Sequence, residues 1–298
     1  MPELPEVETV VSDLQKKIVN KKITGVWTDW PKILKNIELK KFRRAVIGKK
    51  VGRVARRGKN IFIELETDIT VVIHLKMTGH LLWRSTNYFD LEASKIVKED
   101  AKRPFREKVN QYIHFRFLFG PKKELAFSDL RKFGRIRFYD CGIDETLERT
   151  EYKKLGPEPM GPDFNLEKLI ESTKKKKNIN KEVKVFLLDQ ENISGIGNIY
   201  ASEILFEAKI NPRKKVSKLT EAELQKILSK TRAVLTEAIK HRGTSISDFR
   251  DTDGLRGEFG RFRKVYQRKG EKCPNCGEII SAFKQGQRST FYCPRCQK

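Results

Sequence analysis

Two groups of residues in this 298-residue sequence could do chemistry, and they stand at its two ends. The first is in the opening stretch MPELPEVETV, where Pro2 and Glu3 follow Met1 and Glu6 comes three residues later. Pro2 is small enough for the initiator Met to be removed, and the mature chain is then expected to begin with a secondary amine. An α-amine titrates near 7.7–8.0, far below lysine at about 10.4, so much of it is neutral near pH 7. Such an amine can attack a carbon centre, and a secondary amine can only give an iminium, a permanently cationic electron sink suited to elimination. Glu3 could supply a proton or a base, and Glu6 could anchor the segment. The competing reading is an acidic cap on a helix, favoured by the helix dipole.

The second group is Cys273-x2-Cys276 and Cys293-x2-Cys296, separated by GEIISAFKQGQRSTFY. Each pair presents two thiolates to one ion, and the intervening stretch alternates like a hairpin that would carry the pairs together. In a reducing compartment this spacing points to one tetrahedral zinc ion, structural because four thiolates close its shell. Two disulfides are the alternative, disfavoured in the cytosol. The fifth cysteine, Cys141, stands alone.

These groups need a scaffold. Residues 6–18 place Val7, Val10, Val11, Leu14 and Ile18 on one helical face behind Pro5. From about 23 to 140 the pattern changes to short runs of period two, among them KNIFIELE, TVVIHLK, YIHFRFLF and GRIRFYD. That pattern predicts an antiparallel sandwich or barrel. A highly charged insert, 87–110, reads as a surface loop. The proline- and glycine-rich LGPEPMGPDF at 155–164 reads as a linker. Helices follow: NLEKLIEST, EVKVFLLDQ, one beginning in SGIGNIYASEILF, and a long one from Thr220 to about Lys240 with Thr220 and Glu223 as a capping box. Residues 244–260 read as an irregular glycine-rich loop.

Charge narrows the partner. There are 63 Lys and Arg against 39 Asp and Glu, a net of +24. A field of that size attracts polyanions, nucleic acid above all, although a solubility device would look similar. No apolar run approaches the roughly 18 residues of a membrane span, and the acidic start is unlike a signal peptide. The expected address is the bacterial cytosol.

MPELPEVET, RRGKN, HLKMTG, DLRKFGR, LGPEP, GIGNIYASEILF and QRSTFYCPRCQK, in that order from end to end, resemble formamidopyrimidine-DNA glycosylase, of the group that also contains endonuclease VIII. The resemblance implies an α+β fold with an N-terminal antiparallel β-sandwich and flanking helices. A C-terminal helical domain with a helix–two-turns–helix motif and a four-cysteine zinc-finger hairpin follows. It implies domains over 1–150, 164–263 and 264–298, with a linker at 151–163 and DNA in a basic cleft between the lobes.

The resemblance also assigns residues. Pro2 matches the nucleophile that attacks C1′ of the damaged nucleotide, Glu3 the acid/base, and Lys59 in RRGKN a lysine that helps protonation and elimination. Arg288 matches an arginine that grips phosphates around the flipped nucleotide and takes a catalytic part in δ-elimination. Met77, Arg131 and Phe133 match three residues that fill the hole left by the extruded base. For Met77 and Phe133 alone, core packing is the competing reading, and for Lys59 an ordinary turn lysine. Asn198 after SGIG and Lys181 in KKKKNINKEVK are expected phosphate contacts. Tyr112 stands where the family has a DNA-contacting histidine, with His114 nearby, and Glu6 joins the expected DNA-binding set. The implied function is a monomeric bifunctional glycosylase/AP lyase acting on damaged double-stranded DNA. It would excise oxidised purines such as 8-oxoguanine and formamidopyrimidines and nick the strand by β,δ-elimination. ELPEVET resembles that branch more than the endonuclease VIII branch, which acts on oxidised pyrimidines. The alternative from another class is a non-catalytic zinc-ribbon DNA-binding protein.

Overall fold

The computed structural model describes residues 1–86, 103–246 and 248–298. The insert expected at 87–110 therefore lies outside the described residues as far as 102. Beyond it, short 3-10 turns run over Arg103–Arg106 and Lys108–Gln111. The chain forms two compact units, one of Met1–Lys153 with His241–Gly260, the other of Lys154–Lys240 with Arg261–Lys298. The segment 241–260, expected within the helical domain, thus clusters with the first unit, where Thr244 donates its backbone N–H to Glu6.

The first unit is built on two four-stranded antiparallel sheets. In one, β1 (Gly25–Thr28), β6 (Ile113–Phe119), β7 (Lys123–Ser128) and β5 (His80–Ser85) lie in that order. In the other the order is β2 (Val51–Arg57), β3 (Asn60–Leu65), β4 (Ile69–His74) and β8 (Arg135–Tyr139). Period-two alternation sends Ile61, Ile63, Val71 and Ile73 into one core with Phe115, Phe117, Leu125 and Phe127 of the facing sheet. Helix α1 (Leu4–Ile18) adds Val7, Val10, Val11, Leu14 and Ile18 to the same core. At roughly 25 cal/mol per Å2 of apolar surface buried, this helix face alone contributes several kcal/mol. The chain's first residues are therefore tethered and not frayed.

α1 starts two residues earlier than the sequence pattern suggests, because Pro5 fits its first turn and Glu3 caps it. Strands β2 and β5 and helices α2 (Leu39–Val46) and α3 (Ile143–Arg149) were not legible from the pattern. β2 lies at a sheet edge with few inward positions, and β5 reads HLLWRS, which breaks the alternation.

The second unit contains α4 (Leu166–Lys174), α5 (Val183–Leu188), α6 (Asn198–Glu207) and the 20-residue α7 (Glu221–Lys240). The capping box forms as expected, Thr220 accepting the Glu223 N–H at 3.3 Å while Glu223 accepts the Thr220 N–H at 2.9 Å. The hairpin of β9 (Ser281–Gln285) and β10 (Arg288–Tyr292) closes the chain. Its two-residue turn has φ 53 at Gly286 and φ 62 at Gln287, the left-handed pair that a type I′ turn requires. Among the described residues no helix is long and apolar enough to cross a membrane.

Candidate active site and nucleic-acid interface

In the first unit the reactive end is held by a carboxylate. Pro2 is buried, Glu3 nearly so, and Met1 is exposed. Glu6 is wholly buried. One of its oxygens accepts the Glu3 backbone N–H at 2.7 Å and the other accepts that of Thr244 at 2.6 Å. Gly243 has φ +77, and a Cβ there would stand 2.6 Å from the same Glu6 oxygen, so only glycine passes. Glu6 is thus an anchor of backbone amides. Its expected place among the DNA contacts is corrected on that ground: a buried carboxylate whose two oxygens hold protein N–H groups has no surface for a phosphate.

Lys59 sits in the two-residue turn between β2 and β3, after Gly58 at φ 57. It is only 7% exposed, so it does not stand out from the sheet as a surface lysine would. Across the ladder from this turn Asn60 pairs with His74, and His74 with Arg135. His74 accepts the Lys76 N–H on Nδ1 at 2.9 Å. Burial first, then the charges of Lys76, Lys59, Arg135 and Arg137, push its pKa down to about 3. A neutral imidazole beside Lys59 was missed in the sequence, although HLKMTG contains it.

Met77, Arg131 and Phe133 come together, as their common expected role requires. The Arg131 guanidinium lies 4.5 Å above the Phe133 ring and 3.5 Å from the Met77 sulfur. Met77 is 45% and Phe133 47% exposed, which excludes the core-packing reading for both. The buried Asp129 builds the loop that carries them. Its Oδ1 accepts from the Thr78 hydroxyl and, at 3.3 Å, from the Arg131 N–H, and its Oδ2 accepts the Gly134 N–H at 2.7 Å. A Cβ on Gly134 would fall 2.2 Å from the Phe127 ring. The Tyr112 carbonyl accepts the Asp129 N–H at 2.8 Å, which places that residue beside the same loop. His114 instead faces Asp29 at 3.0 Å.

In the second unit the lysine expected as a phosphate contact, Lys181, is paired with Asp189 at 2.9 Å. Lys184 is the lysine brought to the start of α6. It is fully buried and donates to the Asn198 Oδ1 at 2.7 Å and the Thr290 hydroxyl at 2.9 Å. Asn198 in turn donates to the Ser289 carbonyl at 3.0 Å. The pair ties α6 to β10, whose first residue, Arg288, remains exposed. The sequence signal available for Lys184 was its position at the head of the apolar VFLL run, where a buried lysine needs a reason.

Cys273 and Cys296 have sulfurs 3.8 Å apart, Cys276 and Cys293 3.5 Å, and all four lie within 4.8 Å of one another. Four thiolates bonded at about 2.3 Å to one tetrahedral centre lie roughly 3.8 Å apart, whereas a disulfide needs about 2.05 Å. The donor set fits one structural zinc ion.

Residues 1–136 match the formamidopyrimidine-DNA glycosylase N-terminal domain, 155–250 the H2TH domain of the same enzymes, and 270–298 the zinc finger found in FPG and IleRS. The formamidopyrimidine-DNA glycosylase of Carboxydothermus hydrogenoformans is 39% identical over 298 residues, covering 100% of both chains. The Lactococcus lactis Fpg in complex with DNA containing an abasic site superposes with a TM-score of 0.84 at 32% identity, over 99% of each chain. A MutM in complex with DNA containing carbocyclic 8-oxo-G gives 0.84 at 33%, over 100% of both. Sandwich, H2TH body and zinc finger together define a zinc-containing DNA glycosylase of base excision repair. The chain belongs to the formamidopyrimidine-DNA glycosylase family.

Proposed function

We propose that this chain excises oxidised purines, 8-oxoguanine and formamidopyrimidines, from double-stranded DNA and then cleaves the strand, with Pro2 as nucleophile. The observation that carries this reading is the Glu6 clamp, which holds the Glu3 amide, and with it the reactive end of the chain, at the edge of the core. A helix cap alone would not need the residue before it to be buried.

The steps follow from the chemistry of a secondary amine. With Met1 removed, the neutral Pro2 nitrogen attacks C1′ of the extruded nucleotide, and the N-glycosyl bond breaks as the base departs with a proton. Glu3 is the acid and base for the proton transfers at this end of the chain. The Pro2 nitrogen lone pair then expels O4′ of the sugar ring, which takes up a proton, and the C1′ iminium so formed acidifies C2′–H. Loss of that proton to the site's base expels the 3′ phosphate by β-elimination, and loss of a second proton, from C4′, expels the 5′ phosphate by δ-elimination. Lys59, with His74 close by and held neutral, supplies a cation for the phosphates of the flipped nucleotide. Met77, Arg131 and Phe133 fill the space vacated by the base, which offsets part of the few kcal/mol that unstacking costs. Arg288, with Lys184 and Asn198 behind it, takes the phosphates on the hairpin side. Zinc supplies rigidity to the hairpin and takes no part in these steps. The enzyme acts as a monomer in the bacterial cytosol, a placement supported by its bacterial relatives and by four cysteines that stand as thiols in one metal-type cluster.

The test is borohydride trapping on a duplex carrying one 8-oxoguanine. A covalent adduct whose peptide map ends on Pro2 supports the proposal. Tight binding without an adduct, from protein that begins at Pro2, supports a non-catalytic DNA binder.

A further inference from the structure

Beyond Glu6, helix α1 holds the segment 241–260 through a second set of groups. Asp13 and Lys17 lie on the same face of α1 as Glu6, seven and eleven residues on. Arg242 donates to Asp13 Oδ2 at 2.6 Å and, through Nε, to Asp251 Oδ2 at 2.9 Å. Thr252 donates its hydroxyl to the same Asp13 oxygen at 2.8 Å and accepts from Lys17 at 2.7 Å, while Lys17 also pairs with Asp253 at 2.7 Å. The other Asp251 oxygen accepts the N–H groups of Asp253 and Leu255, both at 2.9 Å.

The backbone makes Arg242 a surprising choice. It has φ 57, immediately before Gly243 at φ 77. A long side chain enters the left-handed region only where its surroundings hold it there, and glycine would turn the chain without strain. What glycine lacks is a cation. The Asp13 and Asp251 side chains are 11% and 1% exposed, and Arg242 stands between them. Without it two largely buried carboxylates face each other across the contact that fixes the loop.

We propose that Arg242 is a positioning residue for the reaction: by bridging Asp13 and Asp251 it pins 241–260 to α1 and keeps the Thr244 N–H on Glu6, the carboxylate that fixes the Glu3 amide beside Pro2. This rests on the reading of Pro2 as nucleophile. Arg242 touches no reacting atom; it acts through Glu6.

The test uses Arg242→Gly, which removes the cation while relieving the backbone, with a cooperative thermal melt recorded to show that the variant folds. The single-turnover rate on a duplex with one 8-oxoguanine falls about tenfold, the dissociation constant for that duplex stays within twofold, and the Thr244 amide exchanges faster with solvent. Asp13→Asn, which changes the charge in the opposite sense, lowers the rate likewise, and Arg242→Lys recovers part of it. A wild-type rate in Arg242→Gly with Thr244 still protected overturns the proposal. So does a rate loss matched by an equal loss of DNA affinity, or an Asp13→Asn rate at or above wild type, since each marks Arg242 as a simple DNA-facing charge or a general fold determinant. If the wild-type protein gives no adduct on Pro2, the nucleophile reading fails on its own, and Thr244 exchange still decides whether the clamp exists.

Discussion

Asp129→Asn is the perturbation that isolates the loop bearing Arg131 and Phe133. Asp129 is fully buried and takes three donors: the Thr78 hydroxyl and the Arg131 N–H on one oxygen, the Gly134 N–H at 2.7 Å on the other. Asparagine keeps one acceptor and sets an NH2 group against a backbone N–H or a hydroxyl. A hydrogen bond to a charged group contributes about 1.5–3 kcal/mol, and an unsatisfied buried donor costs about 1–3. Because the substitution retains the acceptor for part of the set, a net loss of about 2–3 kcal/mol follows. In a unit of some 170 residues each kcal/mol lowers Tm by about 2–4 °C, so calorimetry should show a fall of roughly 4–12 °C. If the loop must be seated for the base to stay out of the stack, the same loss slows single-turnover excision by about 30-fold or more, at 1.36 kcal/mol per tenfold. Affinity for undamaged duplex, which is mostly phosphate contact, should stay nearly constant. An excision rate within threefold of wild type, with Tm lowered as expected, refutes the claim that this loop's order matters to base extrusion.

Gly134→Ala drives a methyl group into the Phe127 ring, 2.2 Å from the nearest atom; overpacking of this kind costs about 1–3 kcal/mol or more, visible as a lower urea midpoint. Cys293→Ser breaks the thiolate shell, so zinc content by mass spectrometry falls and affinity for damaged duplex falls with it; unchanged affinity would separate the hairpin from DNA binding. His74 is held neutral down to about 3, against about 6.5 in an unfolded chain. The unfolded state therefore takes up a proton first, and stability present above about pH 6.5 is lost progressively as pH falls toward 3. His74→Asn should flatten the fall of Tm between pH 6.5 and 4, leaving the slope from His80, which burial lowers to about 4. A Tm–pH curve parallel to wild type counts against a buried neutral His74.

Local signals were sufficient for much of this molecule. Val7, Val10, Val11, Leu14 and Ile18 mark one helical stripe, and all five are buried in the sandwich core. The cysteine spacing declares its tetrahedral cluster because two short turns and one hairpin set the whole geometry. The Thr220–Glu223 box is equally local. What the sequence hides is non-local. Glu6 looks like any first-turn acid until Thr244, 238 residues later, is seen to share it. Arg242 reads as one more cation in a chain of 63 Lys and Arg. Lys181 and Lys184 are three residues apart, and only the fold reveals that the first, ahead of α5, is matched with Asp189 and the second, within it, carries Asn198 and Thr290. β5 was hidden because both faces of the strand are covered, which removes the alternation that marks a half-buried one.

The most direct test of the central claim is the intact mass of the protein that cleaves. Active material separated after a single turnover and trapped with borohydride should consist of a chain beginning at Pro2 carrying the DNA remnant. A form engineered to keep Met1 should bind the lesion and leave the strand whole. If the chain that cuts DNA still carries Met1, the terminal amine of Pro2 is not the nucleophile.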